Sequence, residues 1–234
     1  MTELDNPINQ NKGLVIEWAF DAYQIDSIVD LGGCWGVNGG YTFHALRLGD
    51  MRRAVLVDGR ITDLTRQRAL EFPQLELVEA ALGSRETVEQ VGKVDAAIMY
   101  DILLHQVDPD WAEFLARYSE LVDTLIIHNQ GWLGPETVRF PDFGVDEYIE
   151  RVYHPSEESV REWYEQHDEM HPGQNKPWRD VHNHWQWGIT AKDLVSTLWD
   201  LGYRIDFFHN HGHFDPRFEE IEVLSIIARK RDLP

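Results

Sequence analysis

Short apolar runs alternate with longer amphipathic segments through the first half of the chain. Each apolar run is bounded by charged or turn-forming residues, which predicts strands at 27–29, 54–57, 75–81, 94–100 and 123–128. The intervening segments carry apolar residues at helical spacing, which predicts helices at 14–23, 40–48, 61–72, 88–91 and 111–121. Strands that alternate with helices are typical of a parallel, doubly wound sheet, so the pattern predicts an α/β fold.

The pattern changes near the end of the chain. A helix is predicted at 190–201, with Thr190 as its N-cap and Gly202 as its stop. Two apolar runs follow at 203–209 and 222–229, and no helical segment fits between them. Consecutive strands without a crossover pair as an antiparallel hairpin. The predicted fold is therefore α/β, with a doubly wound seven-stranded sheet that is mostly parallel and ends in a C-terminal antiparallel hairpin.

The stretch at about 130–188 differs from the rest of the chain. It is polar, acidic and rich in tryptophan, tyrosine and histidine, and it contains a predicted helix at 156–170. A connection of this length inside a compact domain usually has a function. We interpret 1–234 as a single domain in which this aromatic and histidine-rich insert forms a lid over a substrate.

Composition narrows the classes of partner. A chain of 234 residues, of which 43% are hydrophobic, is long enough to bury a core as one domain. The 41 acidic and 21 basic residues give a net charge of −20, which argues against nucleic acid as a partner. No apolar run approaches the roughly 18 residues that a membrane span needs, so no membrane association is expected. A homodimer is compatible with this composition.

Cysteine usage and the first residues bear on the compartment. Cys34 is the single cysteine, so an internal disulfide framework is excluded. The first six residues are polar and acidic, unlike a signal or transit peptide. Both observations predict a cytoplasmic protein.

The most distinctive motif is the glycine-rich turn at 30–36, with the sequence Asp-Leu-Gly-Gly-Cys-Trp-Gly. It follows the first predicted strand, and the second predicted strand ends at Asp58. A strand, a glycine turn, a helix and a second strand that ends in an acid predict a nucleoside-binding α/β domain. Counted from Gly32, the third and sixth positions are Cys34 and Val37, so the glycine fingerprint of NAD(P)-dependent oxidoreductases fails.

Together with the closing hairpin, these motifs resemble those of the class I S-adenosylmethionine-dependent methyltransferases. The resemblance covers nearly the whole chain outside the insert, including the segments 101–109 and 188–203. Two departures are visible. Cys34 stands where many members have a glycine, and Ala-Ala-Leu-Gly at 80–83 stands where an acid often lies near the adenine.

The resemblance implies S-adenosylmethionine as the cofactor. Asp30 would organise the glycine turn, Asp58 would hold the ribose hydroxyls, and Gly59 and Arg60 would lie beside the adenine. The other cofactor-binding residues that the resemblance implies are Gly32, Gly33, Cys34, Gly36, Ala81 and Leu82. Within this set, Cys34 is interpreted as a small packing residue.

Candidates for the chemistry stand after the fourth and fifth predicted strands, where ligands bind in open α/β sheets. They are Asp101, His105, His128 and Asn129. A hydroxyl acceptor must lose a proton during methyl transfer, so Asp101, His105 or His128 is the expected general base. Asp101 and the pair His128 and Asn129 also stand where some O-methyltransferases of this class hold a divalent metal, with His128 in place of the usual acid. The favoured interpretation is that His128 lines the pocket or acts as a base without a metal.

Flat aromatic rings beside imidazoles suit a polar ring such as a sugar or a hydroxylated natural product. The substrate-binding candidates, most of them in the insert, are Asn129, Trp132, Tyr153, His154, His182, His184, Trp185 and Trp187. The expected function is S-adenosylmethionine-dependent O-methylation of a small polar metabolite. Two alternatives stay open, a non-catalytic binding protein with the nucleoside fold and an NAD(P)-dependent oxidoreductase.

Overall fold

The computed structural model describes residues 6–181 and 184–231. The helices are α1 (Gln10–Ala22), α2 (Gly40–Leu48), α3 (Asp63–Ala69), α4 (Arg85–Val91), α5 (Trp111–Ser119), α6 (Val145–Arg151), α7 (Glu157–Glu165) and α8 (Ala191–Asp200). The strands are β1 (Ser27–Leu31), β2 (Arg53–Asp58), β3 (Leu75–Glu79), β4 (Val94–Tyr100), β5 (Val122–Trp132), β6 (Val138–Arg139), β7 (Trp187–Gly188), β8 (Tyr203–His213) and β9 (Ile221–Lys230). None of the helices in these described ranges is long and apolar enough to cross a membrane.

The strands other than β6 and β7 form one seven-stranded sheet in the order β3-β2-β1-β4-β5-β9-β8. β1 pairs in parallel with β2 and β4, and β5 continues the parallel part beside β4. β9 runs antiparallel to both β5 and β8. The predicted fold class is confirmed. The strand order reverses between β1 and β4, and a crevice forms at such a point, outside the carboxyl ends of the strands.

Apolar residues cover both faces of the sheet. On one face, Ile28 and Ile98 belong to a buried cluster that includes Ile16 of α1 and residues of α2. On the other face, Val29 and Leu125 belong to a second cluster with residues of α4, α5 and α8. Parallel strands that are buried on both faces give nearly continuous apolar runs. This burial explains why the central strands are visible in the sequence.

The insert between β5 and α8 has a small core of its own. Phe140, Tyr148 of α6 and Trp163 of α7 are buried there. β6 and β7 pair antiparallel, and the amide of Trp132 donates a hydrogen bond to the carbonyl of Ile189 at 2.9 Å. The insert therefore leaves and rejoins the sheet at neighbouring points.

Several boundaries differ from the sequence-based prediction. β5 continues past residue 128 to Trp132, because β9 pairs with it as far as Ile221. The first residues assigned to the insert thus belong to the sheet. The insert helix α7 is shorter than the predicted 156–170, and α6 lies outside every predicted helix. α3 is also shorter than predicted, since the side chain of Thr62 caps its start.

Candidate functional site

The loop after β1 lies at the carboxyl ends of the parallel strands, next to the point where the strand order reverses. Gly32 and Gly36 have φ values of +79° and +75°, a conformation that residues with side chains rarely adopt. At Gly33 the constraint is close approach, because an added Cβ would lie 2.4 Å from Oδ2 of Asp30. The amide of Gly32 donates to the carbonyl of Val57 at 2.7 Å. Glycine is therefore required for this loop to fold closely against β1 and β2.

Asp30 lies beneath the glycine loop with its side chain buried. The hydroxyl of Thr42 in α2 donates to its carboxylate at 2.6 Å. Burial is the main reason that the pKa of Asp30 rises to about 7, and the negative charge of Asp58 raises it further. The side chain of Asp30 thus links the end of β1 to α2.

Asp58 ends β2 and faces the glycine loop. Its Oδ2 accepts a hydrogen bond from the amide of Cys34, and its Oδ1 accepts one from the amide of Arg60, both at 2.9 Å. Gly59 and Arg60 are exposed beside it. A carboxylate has about four lone-pair sites, so bonds to two amides are compatible with binding a diol. Asp58 can therefore hold the loop and bind a ligand at the same time.

Cys34 lies inside the loop, and 2% of its surface is exposed. Its thiol lies 3.6 Å from the hydroxyl of Thr65. Burial, with a smaller contribution from the charge of Asp58, raises the pKa of the thiol to about 12. A buried thiol that stays protonated acts as a packing group and not as a nucleophile.

The segment after β3 borders the glycine loop. Ala81 is exposed, whereas Leu82 is half-buried. The carbonyl of Leu82 accepts a hydrogen bond from the hydroxyl of Tyr118 at 2.6 Å, which fixes the segment to α5. The side chain of Leu82 lies 3.6 Å from the position that a Cβ on Gly32 would occupy. The two residues implied for the adenine side therefore lie along the same crevice as the loop.

Asp101, directly after β4, has a φ of +54°, which is unusual for a residue with a side chain. Its carboxylate pairs with the ammonium group of Lys12 in α1 and accepts a hydrogen bond from Nε2 of Gln130 at 3.1 Å. The ammonium group lies 5.6 Å from the ring centres of both Tyr41 and Tyr100. Backbone strain of this kind clusters at functional sites. A charged pair beside two aromatic rings thus lies at the carboxyl end of β4.

Gln130 of β5 lies beside this pair, and 8% of its surface is exposed. Its amide nitrogen binds Asp101, whereas its Oε1 has no hydrogen-bond partner among the described residues. A buried acceptor without a donor costs on the order of 1–3 kcal/mol. A hydroxyl or amine group of a bound molecule would remove this cost.

His128 projects from the same face of β5 as Gln130, and 5% of its surface is exposed. Its Nδ1 lies 2.8 Å from the hydroxyl of Ser225 in β9, and that hydroxyl lies 2.8 Å from Nε2 of His211 in β8. Burial lowers the pKa of His128 to about 4, against the opposing effect of the charge of Asp101. The ring is therefore neutral at pH 7, the form in which an imidazole accepts a proton.

The three residues predicted as ligands of an optional metal do not converge. His128 and Asn129 are consecutive in a strand, so their side chains point to opposite faces of the sheet. The Oδ1 of Asn129 instead accepts a hydrogen bond from the amide of Leu104 at 3.4 Å. Asp101 is engaged in the ion pair described above. In the described part of the chain, no group of three or more His, Cys, Asp or Glu side chains is arranged to hold a metal ion.

His105 and His184 meet where the turn after β4 contacts the insert. The Nδ1 of His105 lies 3.4 Å from the carbonyl oxygen of His184. The ring of His184 stacks on Trp163, with 4.0 Å between the ring centres and 9° between the planes. Burial, followed by the effect of His105, lowers the pKa of His184 to about 4. His182 lies outside the described residues.

Aromatic residues of the insert contact the loop between β8 and β9. The ring centres of Tyr153 and Trp185 are 5.4 Å apart, and both rings contact Phe214. His154 and Tyr153 both contact Phe218 in the same loop. Three of the residues predicted to bind substrate therefore form one half-buried cluster.

Trp132 and Trp187 lie elsewhere. Trp132 has 2% of its surface exposed and packs in the insert core, with its ring centre 5.3 Å from that of Phe140. The Nε1 of Trp187 donates to the carbonyl of Gln106 at 2.5 Å. Trp132 thus fills the core of the insert, whereas Trp187 fastens the insert to the turn after β4.

Three residues of the site have no counterpart among the sequence-based candidates, namely Lys12, Gln130 and Ser225. His211 lies in the His-Asn-His-Gly-His run at 209–213, whose spacing is compatible with metal binding but is more typical of surface or pocket hydrogen bonding. The other three are ordinary polar residues whose role becomes visible only when the fold brings distant segments together. Lys12, for example, is 89 residues from Asp101 along the chain.

A separate cavity of about 430 Å³ lies at the other end of the strands, near the amino end of β1. It is lined by residues at the ends of α1 and α2 and just before β1, among them Phe20, Tyr23 and Leu48. Ligands of open α/β sheets bind outside the carboxyl ends of the strands. We therefore place the candidate site in the crevice that contains the glycine loop, Asp58 and Asp101.

No protein-family model matches the sequence, and no curated protein is detectably similar to it. Solved structures match its fold. The Burkholderia thailandensis 1,6-didemethyltoxoflavin-N1-methyltransferase, with bound 1,6-didemethyltoxoflavin and S-adenosylhomocysteine, has a TM-score of 0.60 at 14% identity, over 95% of this chain and 78% of that one. The N-terminal domain of EvdMO1, in the presence of S-adenosylhomocysteine and D-fucose, has a TM-score of 0.65 at 13% identity, over 98% and 92%. The Synechocystis PCC 6803 magnesium protoporphyrin IX methyltransferase, with bound S-adenosylhomocysteine, has a TM-score of 0.55 at 15% identity, over 97% and 90%.

This chain has the fold of the S-adenosylmethionine-dependent methyltransferases. Within that methyltransferase fold, the loop at 30–36 and Asp58 lie on the β2 side of the crevice. Asp101, which follows β4, and His128, which belongs to β5, lie on the other side. The residues predicted to bind a nucleoside and those predicted to act as acid or base thus lie on opposite sides of the point where the strand order reverses.

Proposed function

We propose that this chain transfers the methyl group of S-adenosylmethionine to a hydroxyl group of a small polar molecule. The observation that carries the proposal is the hydrogen bond between Asp58 and the glycine loop, at the carboxyl ends of the strands where the strand order reverses. Nucleoside ligands of open α/β sheets bind at such a point. Solved proteins that share the fold contain S-adenosylhomocysteine, which supports a sulfonium nucleoside as the ligand.

The residues around the loop fit this cofactor. Gly33 has no room for a side chain, because an added Cβ would meet Asp30 and Leu56 beneath the loop. In the proposal, the loop lies against the methionine part and Asp58 accepts hydrogen bonds from the ribose hydroxyls. Residues 59–60 and 81–82 border the adenine. When bound, S-adenosylmethionine supplies a methyl group on a sulfonium centre, which is already activated for transfer.

Residues on the β5 side are suited to bind the acceptor and to take its proton. The unpartnered Oε1 of Gln130 would accept a hydrogen bond from a hydroxyl group. Neutral His128 would accept the proton that the reacting hydroxyl loses, a role that contributes roughly 10²–10⁴-fold to a rate. The negative charge of Asp101 favours the protonated form of His128 and so supports that transfer. Lys12 balances the charge of Asp101 when His128 is neutral.

The insert supplies side chains for the rest of the acceptor. In the proposal, Tyr153 and Trp185 provide aromatic faces, and the imidazoles of His154 and His184 provide hydrogen-bonding groups. Binding sites for small molecules commonly combine aromatic walls with a few polar groups. A sugar or another hydroxylated ring has both kinds of surface. The presence of D-fucose with the EvdMO1 domain supports an acceptor of this class.

The two alternatives have weaker support. A binding protein without catalysis would use the same crevice but would have no need of a neutral, buried base such as His128. An NAD(P)-dependent oxidoreductase would need glycines where Cys34 and Val37 stand. We favour methyl transfer because His128 and Asp101 together form an arrangement that can remove a proton from a hydroxyl.

Calorimetry and labelled methyl transfer test the proposal in two steps. The protein should bind S-adenosylhomocysteine and should not bind NAD. With S-adenosylmethionine that carries a labelled methyl group, it should label members of a panel of monosaccharides and hydroxylated aromatic compounds. His128→Gln should abolish labelling and retain S-adenosylhomocysteine binding. Failure of the wild type to bind S-adenosylhomocysteine would refute the cofactor, and binding without any labelled product would favour the non-catalytic alternative.

A further inference from the structure

Three side chains form a continuous hydrogen-bonded chain across β5, β9 and β8. The hydroxyl of Ser225 lies 2.8 Å from Nδ1 of His128 and 2.8 Å from Nε2 of His211. The ring centres of the two histidines are 5.3 Å apart, so the hydroxyl bridges them. His128 and Ser225 are buried, whereas His211 is only partly buried. The chain therefore leads from the interior of the crevice toward the surface.

The interior end of this chain is a poor place for a positive charge. The groups that face His128 are Asp101, which raises its pKa, and Lys12 and His211, which lower it. The ring of Tyr100 lies 5.8 Å away and carries no charge to offset burial. Burial has the largest effect and disfavours the imidazolium form. A proton taken up by His128 is therefore better placed on a more exposed group.

We propose that Ser225 and His211 form a relay that carries the acceptor's proton from His128 to solvent, an inference that rests on the proposed function. The O–H bond of the acceptor breaks, and its proton binds Nε2 of His128. The proton on Nδ1 of His128 passes to Oγ of Ser225, whose own hydroxyl proton passes to Nε2 of His211. His211 then releases its Nδ1 proton to water. The number of protons held by the three groups is unchanged, but His128 now carries its proton on Nε2. After the product leaves, Nδ1 of His211 takes a proton from water, the hydrogen bonds through Ser225 reverse, and Nε2 of His128 releases its proton to water, which restores the starting tautomers. Ser225 and His211 act as positioning residues.

The relay requires one arrangement of protons before reaction. His128 must carry its proton on Nδ1, and the hydroxyl of Ser225 must point to a lone pair on Nε2 of His211. Protonation of His211 reverses both hydrogen bonds, because its Nε2 then donates to Ser225 and Ser225 donates to Nδ1 of His128. In that state His128 holds its proton on Nε2 and cannot act as the base. The tautomer of His128 therefore follows the protonation state of His211. His209 of β8 also faces His211, with 4.5 Å between the ring centres, and burial together with the charge of His209 lowers the pKa of His211.

Nitrogen-15 NMR of the histidine rings tests this coupling without an acceptor, with and without S-adenosylhomocysteine. We expect the Nδ1–H tautomer of His128 at pH 8 and a change to the Nε2–H tautomer with the same midpoint as the protonation of His211. Ser225→Ala should separate the two transitions, and Ser225→Thr should keep them together because it retains the hydroxyl. His213→Gln removes an exposed imidazole that is not part of the hydrogen-bonded set His128, Ser225 and His211, and it serves as the matched control.

The outcomes separate this inference from the proposed function. A His128 tautomer that does not respond to protonation of His211 in the wild type would refute the relay, as would a Ser225→Ala spectrum with both transitions unchanged. If calorimetry shows that the wild type does not bind S-adenosylhomocysteine, the proposed cofactor is refuted, and the coupling between His128 and His211 can still be measured by NMR. With an acceptor from the panel, Ser225→Ala should lower kcat at least tenfold at unchanged KM, and Ser225→Thr should restore it. Equal kcat for wild type and Ser225→Ala would also refute the relay.

Discussion

The amide of Cys34 and the carboxylate of Asp58 are joined by a hydrogen bond of 2.9 Å, which ties the glycine loop to the end of β2. Asp58→Ala removes this bond together with the proposed acceptor for the ribose hydroxyls. We expect the binding free energy of S-adenosylhomocysteine to weaken by about 1–3 kcal/mol, the scale for losing a hydrogen-bonded charged partner. Isothermal titration calorimetry measures the change.

Two further variants separate the roles of Asp58. Asp58→Asn keeps one acceptor oxygen for the loop amide but loses the negative charge, so its affinity should lie between those of wild type and Asp58→Ala. Asp26→Asn removes a carboxylate that pairs with Arg52 at the opposite end of the sheet, and it should bind like the wild type. Unchanged affinity in Asp58→Ala would rule out a contact between this carboxylate and the ligand.

Replacement by alanine should have opposite consequences for stability at Gly33 and at Gly59. An alanine Cβ at Gly33 would lie 2.4 Å from Oδ2 of Asp30 and 2.7 Å from a methyl group of Leu56, whereas nothing lies within 4 Å at Gly59. Overpacking of a buried site costs roughly 1–3 kcal/mol. Urea unfolding should show that loss for Gly33→Ala and none for Gly59→Ala. Equal stability of the two variants would mean that the loop shifts without cost.

Asp30 should give the protein a stability that depends on pH. Its pKa is about 7 in the folded chain against an ordinary value of 3.8, so the folded state binds the proton more tightly. The stabilisation is complete below the ordinary pKa and is lost as the pH rises through 7. At 1.36 kcal/mol per pKa unit, the loss is bounded by roughly 4 kcal/mol.

Asp30→Asn tests this effect because asparagine cannot titrate and still accepts a hydrogen bond from Thr42. Relative to the wild type, its free energy of unfolding should rise between pH 4 and pH 8. Urea titrations at four pH values measure the difference. If the free energy of unfolding changes with pH in the same way for both proteins, Asp30 has an ordinary pKa in the folded state.

Trp163 should stabilise the insert without affecting the cofactor side of the crevice. Its ring stacks on His184, and its Nε1 donates to the carbonyl of Trp178 at 2.8 Å. Trp163→Ala should destabilise this core by about 3–5 kcal/mol, the usual cost of deleting a buried indole. Because the insert core is separate from the two cores of the sheet, we expect faster proteolysis within the insert and unchanged affinity for S-adenosylhomocysteine.

The exposed Trp199 on α8 provides the control for that experiment. Trp199→Ala should leave the cleavage pattern of the insert unchanged, because this side chain contacts Arg231 and not the insert. Mass spectrometry of limited digests compares the two variants. A large loss of cofactor affinity in Trp163→Ala would instead show that the insert contributes to that side of the crevice.

Local signals account for the parts of the fold that the sequence predicts well. The predicted strand at 94–100 matches β4 residue for residue, because a strand buried on both faces is a continuous apolar run. The end signals of α8 also match: Thr190 caps its first turn, and Gly202 has a φ of +88° just beyond it. Each of these features depends on residues that are close together in the sequence.

Features that depend on distant residues could not be predicted in this way. The end of β5 is polar and becomes strand only by pairing with β9, and the partners His128 and Ser225 are 97 residues apart. The ion pair between Lys12 and Asp101 likewise joins the first helix to the end of β4. Trp132 stood among the predicted substrate-binding residues because aromatic composition does not distinguish the wall of a pocket from the interior of a subdomain.

The hydrogen bond between the amide of Trp132 and the carbonyl of Ile189 brings the two ends of the insert together. The insert also contacts the turn after β4 and the loop between β8 and β9, but the strands beneath it keep their own pairing. Surface segments of this kind tolerate changes of length and sequence. Under the proposed function, changes in the insert can therefore alter the preferred acceptor while the glycine loop and Asp58, which lie outside it, keep their contact.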